Sequence, residues 1–98
     1  MAVEITNFDP AAYLDDDEAL ATYLSDAFET QDVAFISDAI GMVARAKGMK
    51  QIAQEAGVSR ESLYRALSSA GNPELGTVLK VLASLNIKIS AQPLQKTT

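Results

Sequence analysis

The side chains best suited to recognition chemistry lie between residues 50 and 68, where basic, amide and hydroxyl groups alternate with apolar residues. A guanidinium donates paired hydrogen bonds that match a guanine edge or a phosphate, and amides, hydroxyls and ammonium groups also bind phosphate. This stretch therefore carries the chemistry of DNA binding. The candidate DNA-binding residues are Lys50, Gln51, Ser59, Arg60, Glu61, Ser62, Tyr64, Arg65 and Ser68.

The composition argues against catalysis and against a metal site. The chain has no His and no Cys, so the usual parts of transition-metal sites and of most nucleophile–base pairs are missing. The acidic run at residues 15–18 lacks the glycine and the distant glutamate of a calcium loop, and consecutive carboxylates on a helix point in different directions. We therefore expect a protein that is not an enzyme and that has no cofactor and no metal.

The spacing of five residues predicts two short helices that cross steeply at a tight turn. Such a turn needs a small residue at the crossing (Ala53), and a residue that tolerates positive φ four positions later (Gly57). An apolar plug (Val58), a capping side chain (Ser59) and an inward apolar residue (Leu63) must follow, and all occur in register. This pattern is typical of a helix-turn-helix, with an ordinary helix hairpin as the alternative.

The second of these helices would present the recognition groups. If Leu63 and Leu67 face inward, Arg60 and Arg65 face outward, and the beginning of the helix lies in the major groove. The two arginines either read guanine edges or hold phosphates, and Tyr64 either contacts a thymine methyl group or a phosphate. Glu61 and the serines have both base-contacting and helix-capping interpretations. Lys50 and Gln51, at the beginning of the preceding helix, are placed for phosphate contacts.

Apolar periodicity and breaking residues define the elements that position this motif. They predict helices over about residues 16–30, 33–47, 49–56, 60–68 and 73–85, with Asp32, Ser59 and Asn72 as N-caps and Pro73 opening the last helix. Alternation at residues 86–92, closed by Pro93, predicts a short strand. The inward residues of the first, second and fifth helices are predicted to be Leu20, Tyr23, Leu24, Ala27 and Phe28; Phe35, Ile36, Ala39, Ile40 and Val43; and Leu75, Val78, Leu79, Leu82 and Leu85.

These elements amount to one mainly α domain over residues 1–98. It comprises an acidic helical segment (1–31), a DNA-binding helical core (32–85), a C-terminal strand (86–93) and a tail (94–98). The first residues lack the basic and apolar regions of a secretory signal, and apolar runs are far too short to cross a membrane. We therefore expect a cytoplasmic protein without membrane contact.

Charge is distributed unevenly along the chain. The net charge is −5, yet residues 1–40 contain ten carboxylates and no Lys or Arg, whereas all eight basic residues follow. Such asymmetry indicates two partners of opposite charge, or one basic face on an acidic protein; an acidic surface that only maintains solubility is the alternative. Because few basic residues would face DNA, affinity requires two copies on a symmetric site. We expect a homodimer that uses either the fifth helix or the strand at residues 87–91.

Several phrases of the sequence resemble the addiction-module antidote family, a HigA-like branch of the phage-repressor (Cro/C1-type) helix-turn-helix proteins. They are FDPAAYLD at 8–15, YLSDAF at 23–28, ARAKGM at 44–49, SRESLYRALS at 59–68, GNP at 71–73 and TVLKVL at 77–82. Two positions depart from the family pattern: Asn86 replaces a frequent Gly, and Ala39-Ile40-Gly41 replaces Ala-Leu-Gly. Asn tolerates the left-handed conformation of a helix C-terminus, so the helix end is still expected there.

The resemblance implies a five-helix Cro/C1-repressor-like domain that acts as an antitoxin. Its partner would be a small basic toxin of the RelE/HigB type that cleaves mRNA, and the pair would repress their own operon. The acidic N-terminal region suits a basic partner, and we expect the toxin to contact Tyr13, Asp15, Asp16, Asp17 and Glu18. The alternatives are a stand-alone Cro/C1-type repressor without a toxin, and a helical adaptor that binds only proteins.

Overall fold

The computed structural model describes residues 15–94 and shows five α-helices in this range. They are α1 (Asp17–Glu29), α2 (Val33–Lys47), α3 (Met49–Ala56), α4 (Arg60–Ala66) and α5 (Leu75–Ser84). The mainly α prediction is confirmed. The strand predicted for 86–93 is not formed in this single copy, because residues 15–94 contain no strand with which it could pair.

The first two helices form a pair whose beginnings are fixed by carboxylates. Asp16 caps α1 by accepting a hydrogen bond from the Ala19 amide at 3.0 Å. Asp32 caps α2, as predicted, by accepting from the amides of Ala34 at 3.0 Å and Phe35 at 3.3 Å. Side-chain acceptors at these positions satisfy amides that have no partner within the helix. Both caps therefore fix where each helix begins.

One apolar core joins all five helices. Helix α3 packs against α2, α4 and α5, and α1 packs against α2. The largest side chains that are almost completely buried are Leu20, Leu24, Ile40, Ile52, Leu63, Leu67 and Leu82. Burial of each such side chain contributes about 1.5–3 kcal/mol. The short helices α3 and α4 therefore depend on packing, since isolated helices of this length are unstable in water.

Helix α5 begins later than the sequence predicts. The chain passes so close to the end of α4 that a Cβ on Gly71 would lie 2.1 Å from the Ala66 carbonyl oxygen. Residues 71–74 then run irregularly before α5 begins at Leu75. Asn72 and Pro73 are therefore outside the helix, and their predicted roles as N-cap and first helical residue are wrong. Glu74 occupies the cap position without a side-chain capping bond.

The predicted inward face of α5 is only partly correct. Leu82 and Leu85 are buried, but Leu75 is 67 % exposed and Leu79 is 46 % exposed. The buried face also includes Val81, which the periodic pattern omits. At 3.6 residues per turn, Leu79 lies about 160° around the helix from Val81. The face that packs on α3 thus turns away from Leu79. Leu75 lies within about 20° of the buried Leu82 around the helix, so its exposure follows from its position as the first residue of α5.

Phe35 is also more exposed than predicted. The buried face of α2 contains Ile40, Val43 and Ala44, each with 0 % exposure. Phe35 lies about 140° around the helix from Ile40, and it is 54 % exposed. The prediction failed because the first turn of α2 was assigned to the same stripe as its buried middle.

The end of α5 is tied to the beginning of α1. Asn86 adopts a left-handed conformation with φ of +64°, as expected for a C-terminal cap. Its amide donates to the Ala83 carbonyl, and the next amide, that of Ile87, donates to Leu82, both at 2.9 Å. The Asn86 side chain donates to the Asp17 carboxylate at 2.7 Å. These bonds stop the helix and join the first and last helices.

No helix in residues 15–94 combines the length and the apolar character needed to traverse a bilayer.

Candidate nucleic-acid interface

The turn between α3 and α4 has the geometry that the sequence predicts. Gly57 has φ of +73° and ψ of +30°, in the left-handed region. Its amide donates to the Gln54 carbonyl at 3.2 Å, and the Val58 amide donates to the Ala53 carbonyl at 3.1 Å. This pair of bonds is a Schellman motif, which ends a helix and redirects the chain. Val58 is half-buried against the core, next to the small buried residue Ala53.

Helix α4 is held at its beginning by a cap and on its inner face by two leucines. The Ser59 hydroxyl accepts a hydrogen bond from the Ser62 amide at 3.0 Å. Leu63 and Leu67 have 0 % exposure. Because these contacts fix one face of a seven-residue helix, the residues on the other face have a defined direction toward solvent.

The structure brings the predicted binding residues to the surface of α3 and α4. Those that are exposed are Lys50, Gln51, Ser59, Arg60, Glu61, Ser62, Tyr64 and Arg65. Tyr64 is 46 % exposed. Ser68 differs, because it is half-buried and its hydroxyl donates to the Arg65 carbonyl at 2.9 Å. Ser68 therefore has a role in ending α4, whose last helical residue is Ala66.

The amide of Gln51 already has a partner within the protein. It donates to the Glu55 carboxylate at 3.1 Å, one turn along α3. Hydrogen bonds from the side chains of Ser84 and Gln51, followed by the nearby charge of Lys47, lower the pKa of Glu55. Hydrogen bonds to a carboxylate favour its charged form. Gln51 can contact a phosphate only with the donor that remains or after leaving Glu55.

Two basic residues of α2 have contacts that the sequence did not reveal. Arg45 donates from Nη1 to the Leu67 carbonyl at 3.5 Å, and Lys47 donates to the Ser84 carbonyl. The sequence shows only that both residues suit the negative end of the α2 dipole. In the structure they also reach the carbonyl groups at the ends of α4 and α5, so they help to position these helices.

Two of the four carboxylates predicted to contact the toxin already accept hydrogen bonds within the protein. Asp15 to Glu18 are all exposed. However, Asp16 caps α1, and Asp17 accepts the Asn86 hydrogen bond. Tyr13 lies outside the described residues. Helix capping thus explains one member of the run and a contact between helices explains another.

No group of carboxylates in the described range is arranged to hold a metal ion. In that range the exposed groups on α3 and α4 include hydrogen-bond donors, a phenol and three basic side chains, together with the carboxylates of Glu55 and Glu61. Such a surface binds by polar contact and electrostatic attraction.

Comparison with known proteins identifies the family. The model of the family described as "Probable addiction module antidote protein" matches residues 4–93. A protein of Haemophilus influenzae is 41 % identical over 92 residues, which cover 94 % of this chain and 95 % of that protein. No solved structure matches the chain. Since the family model and this relative both extend over nearly the whole sequence, the chain belongs to the addiction module antidote protein family.

Proposed function

We propose that this chain is the antitoxin of a type II toxin–antitoxin module, which binds operator DNA through α3 and α4 and represses its own operon. An antidote family implies a toxin as partner, and its members are generally not enzymes. The observation that carries the DNA-binding proposal is the exposure of Arg60, Tyr64 and Arg65 on a helix anchored by Leu63 and Leu67.

In this proposal α3 and α4 are a helix-turn-helix of the Cro/C1 type, with α4 as the reading helix. The first turn of α4 enters the major groove, where Arg60 reads a base edge or binds a phosphate. Arg65 and Tyr64 contact the groove one turn later, and Lys50 binds the backbone from α3. The left-handed turn at Gly57 supports this arrangement because it ends α3 and lets α4 begin after only three residues.

Two copies are needed for useful affinity. One protomer offers three basic side chains on α3 and α4, namely Lys50, Arg60 and Arg65, and every phosphate contact adds only part of the binding free energy. A homodimer on a two-fold symmetric operator doubles these contacts. Half-sites separated by about one helical turn of DNA then fit the two reading helices.

The toxin is a small basic protein of the RelE/HigB type, and the acidic N-terminal region attracts it. Residues 15–40 contain eight carboxylates and no basic residue. A surface of this charge accelerates association with a basic partner and repels RNA from the same place. We assign the contact to Tyr13 and to the carboxylates Asp15, Asp16, Asp17 and Glu18.

Binding to the chain's own promoter tests the repressor function. A labelled promoter duplex is titrated with protein over a salt series, beside a scrambled duplex of equal length. We expect tighter binding to the promoter, with affinity falling steeply as salt rises because phosphate contacts release counterions. Equal and weak binding to both duplexes would contradict an operator-reading function.

Co-purification tests the antitoxin function separately. Tagged protein recovered from its native host is expected to carry a basic protein of about toxin size, encoded beside it. DNA binding without such a partner would favour a stand-alone repressor, and a protein partner without DNA binding would favour a helical adaptor.

A further inference from the structure

We propose that a second copy of this chain pairs with residues 87–91 in an antiparallel, two-stranded ladder centred on Ile89; this deepens, and rests on, the homodimer of the proposed function. Residues 87–94 run without helix, turn or bend. Residues 88–94 make no backbone–backbone hydrogen bond with another described residue. An exposed stretch with free amides and carbonyls is a template for pairing with another chain.

The bonds at the end of α5 determine which residues are free to pair. The amides of Asn86 and Ile87 are already used, since they donate to the Ala83 and Leu82 carbonyls at 2.9 Å. The first free amide is that of Lys88. Because an antiparallel ladder uses alternate residues, Lys88 and Ser90 become its hydrogen-bonded positions. Ile89 lies between them and faces its own copy at a non-hydrogen-bonded position, where side chains approach most closely.

This register is also the one that suits the side chains. Ile87 faces Ala91 of the partner and Ile89 faces Ile89, so one side of the ladder is entirely apolar. Lys88 faces Ser90, which keeps the two ammonium groups apart. A ladder centred on Lys88 would place them opposite each other, which is unfavourable. Pro93, which has no amide hydrogen, stays outside the paired region.

A groove of 730 Å³ accommodates the second segment. One wall is the segment itself, and the other is α1, with Leu24 and Phe28. Glu29 and Lys88 are the charged residues that line this groove in the described part of the chain. Lys88 is the only charged residue of the incoming 87–91 segment. In the groove its ammonium group meets the Glu29 carboxylate, which has the opposite charge.

Single cysteines test the register directly, because the chain has no other Cys. At a non-hydrogen-bonded antiparallel pair the two Cα atoms lie about 4.5 Å apart, within the range of a disulfide. We expect Ile89→Cys to form a linked dimer on mild oxidation. In the same register two Lys88 residues are about 8 Å apart, so Lys88→Cys is the matched control and is expected to stay monomeric on denaturing gels. Linkage through Leu79→Cys with none through Ile89→Cys would overturn the proposal in favour of an α5 interface.

Two proline variants test the backbone pairing. Ser90→Pro removes an amide that the ladder uses, whereas Ala91→Pro removes one that points away from it. We expect sedimentation equilibrium to give half the wild-type mass for Ser90→Pro and the full dimer mass for Ala91→Pro, with circular dichroism showing folded helices in both. A wild-type monomer, or a Ser90→Pro dimer, would refute the ladder.

These measurements need no DNA, so they separate this inference from the proposed function. If Ile89→Cys forms a linked dimer but the protein binds no operator, the ladder is supported and the proposed repressor function is contradicted. If the protein binds operator but stays monomeric in every measurement, the repressor function is supported and the ladder is contradicted.

Discussion

The carbonyl oxygen of Leu67 occupies the space beside Gly41 that any other residue would fill. A Cβ built on Gly41 would lie 2.1 Å from this oxygen, and Arg45 Nη1 would be 3.0 Å away. Leu67 is the buried residue that directly follows α4 as its C-cap, and Gly41 lies in the middle of α2. The close approach of two backbones thus sets the distance between α2 and the helix that carries the proposed DNA contacts.

Replacing Gly41 with alanine should therefore destabilise the protein. The added methyl group meets backbone rather than a movable side chain, and overpacking of this kind costs about 1–3 kcal/mol. Gly76→Ala is the matched control, because a Cβ there meets nothing within 4 Å. Alanine stabilises a helix interior by about 0.5–1 kcal/mol relative to glycine, and Gly76, as the second residue of α5, should gain at most this amount. The urea concentration at the midpoint of unfolding should thus fall for Gly41→Ala and rise for Gly76→Ala. Equal shifts in the two variants would show that the contact with Leu67 is unimportant.

The turn before α4 should accept asparagine but not valine at Gly57. The position has φ of +73° and open space around it, so backbone strain alone decides the outcome. The left-handed conformation costs an ordinary L-residue about 1–2 kcal/mol, and more for a β-branched one, whereas Asn is the residue that best replaces Gly there. Thermal unfolding should rank wild type, Gly57→Asn and Gly57→Val in descending order. A Gly57→Val protein as stable as wild type would contradict the observed turn.

The two arginines of α4 should affect operator binding without affecting the fold. Both are exposed, so Arg60→Ala and Arg65→Ala should leave the melting temperature nearly unchanged. Each should weaken promoter binding by about 1–3 kcal/mol if it reads a base; a phosphate contact instead lowers the salt slope by about one. Lys80→Ala, which removes an exposed charge from α5, is the control. If both arginine variants bind like this control, α4 is not the reading helix.

Stability should depend on the ionisation of Glu55 at acid pH. Its pKa is lowered mainly by the hydrogen bond from the Ser84 side chain, then by that from Gln51. A lowered folded-state pKa stabilises the folded protein fully above the ordinary glutamate value of about 4.3. This contribution disappears as the pH falls below that value and through the lowered pKa. Unfolding midpoints measured from pH 6 to 3 should show a smaller decline for Glu55→Gln than for wild type. Parallel curves would show that Glu55 makes no pH-dependent contribution.

Local signals predicted the helices well because their causes are local. Asp32, Gly57 and Ser59 act on amides and carbonyls within a few residues, so their roles are readable from spacing alone. The prediction that Phe35 and Leu79 face inward was wrong because the direction of a buried face depends on the neighbouring helix, which the sequence does not show. The exposed surface of α4 was predictable because Leu63 and Leu67 alone determine its inner side.

Other features depend on contacts between distant residues. The hydrogen bond from Arg45 to Leu67 and the close approach at Gly41 join residues more than twenty positions apart. For the close approach at Gly41, the only signal in the sequence was a glycine inside a predicted helix. The strand prediction failed for a similar reason, since alternation describes a segment but not whether a partner strand is present.

The hydrogen bond between Asn86 and Asp17 places the two outer limits of the helical body side by side. A fold whose ends meet can be cut and rejoined elsewhere, provided that the new opening falls in an exposed connection. A short linker from Asn86 back to the beginning of α1, with new termini opened near the exposed Ser69 and Ala70, would retain every helix in place. The helices would then keep the same arrangement in space although they follow one another in a different order along the chain.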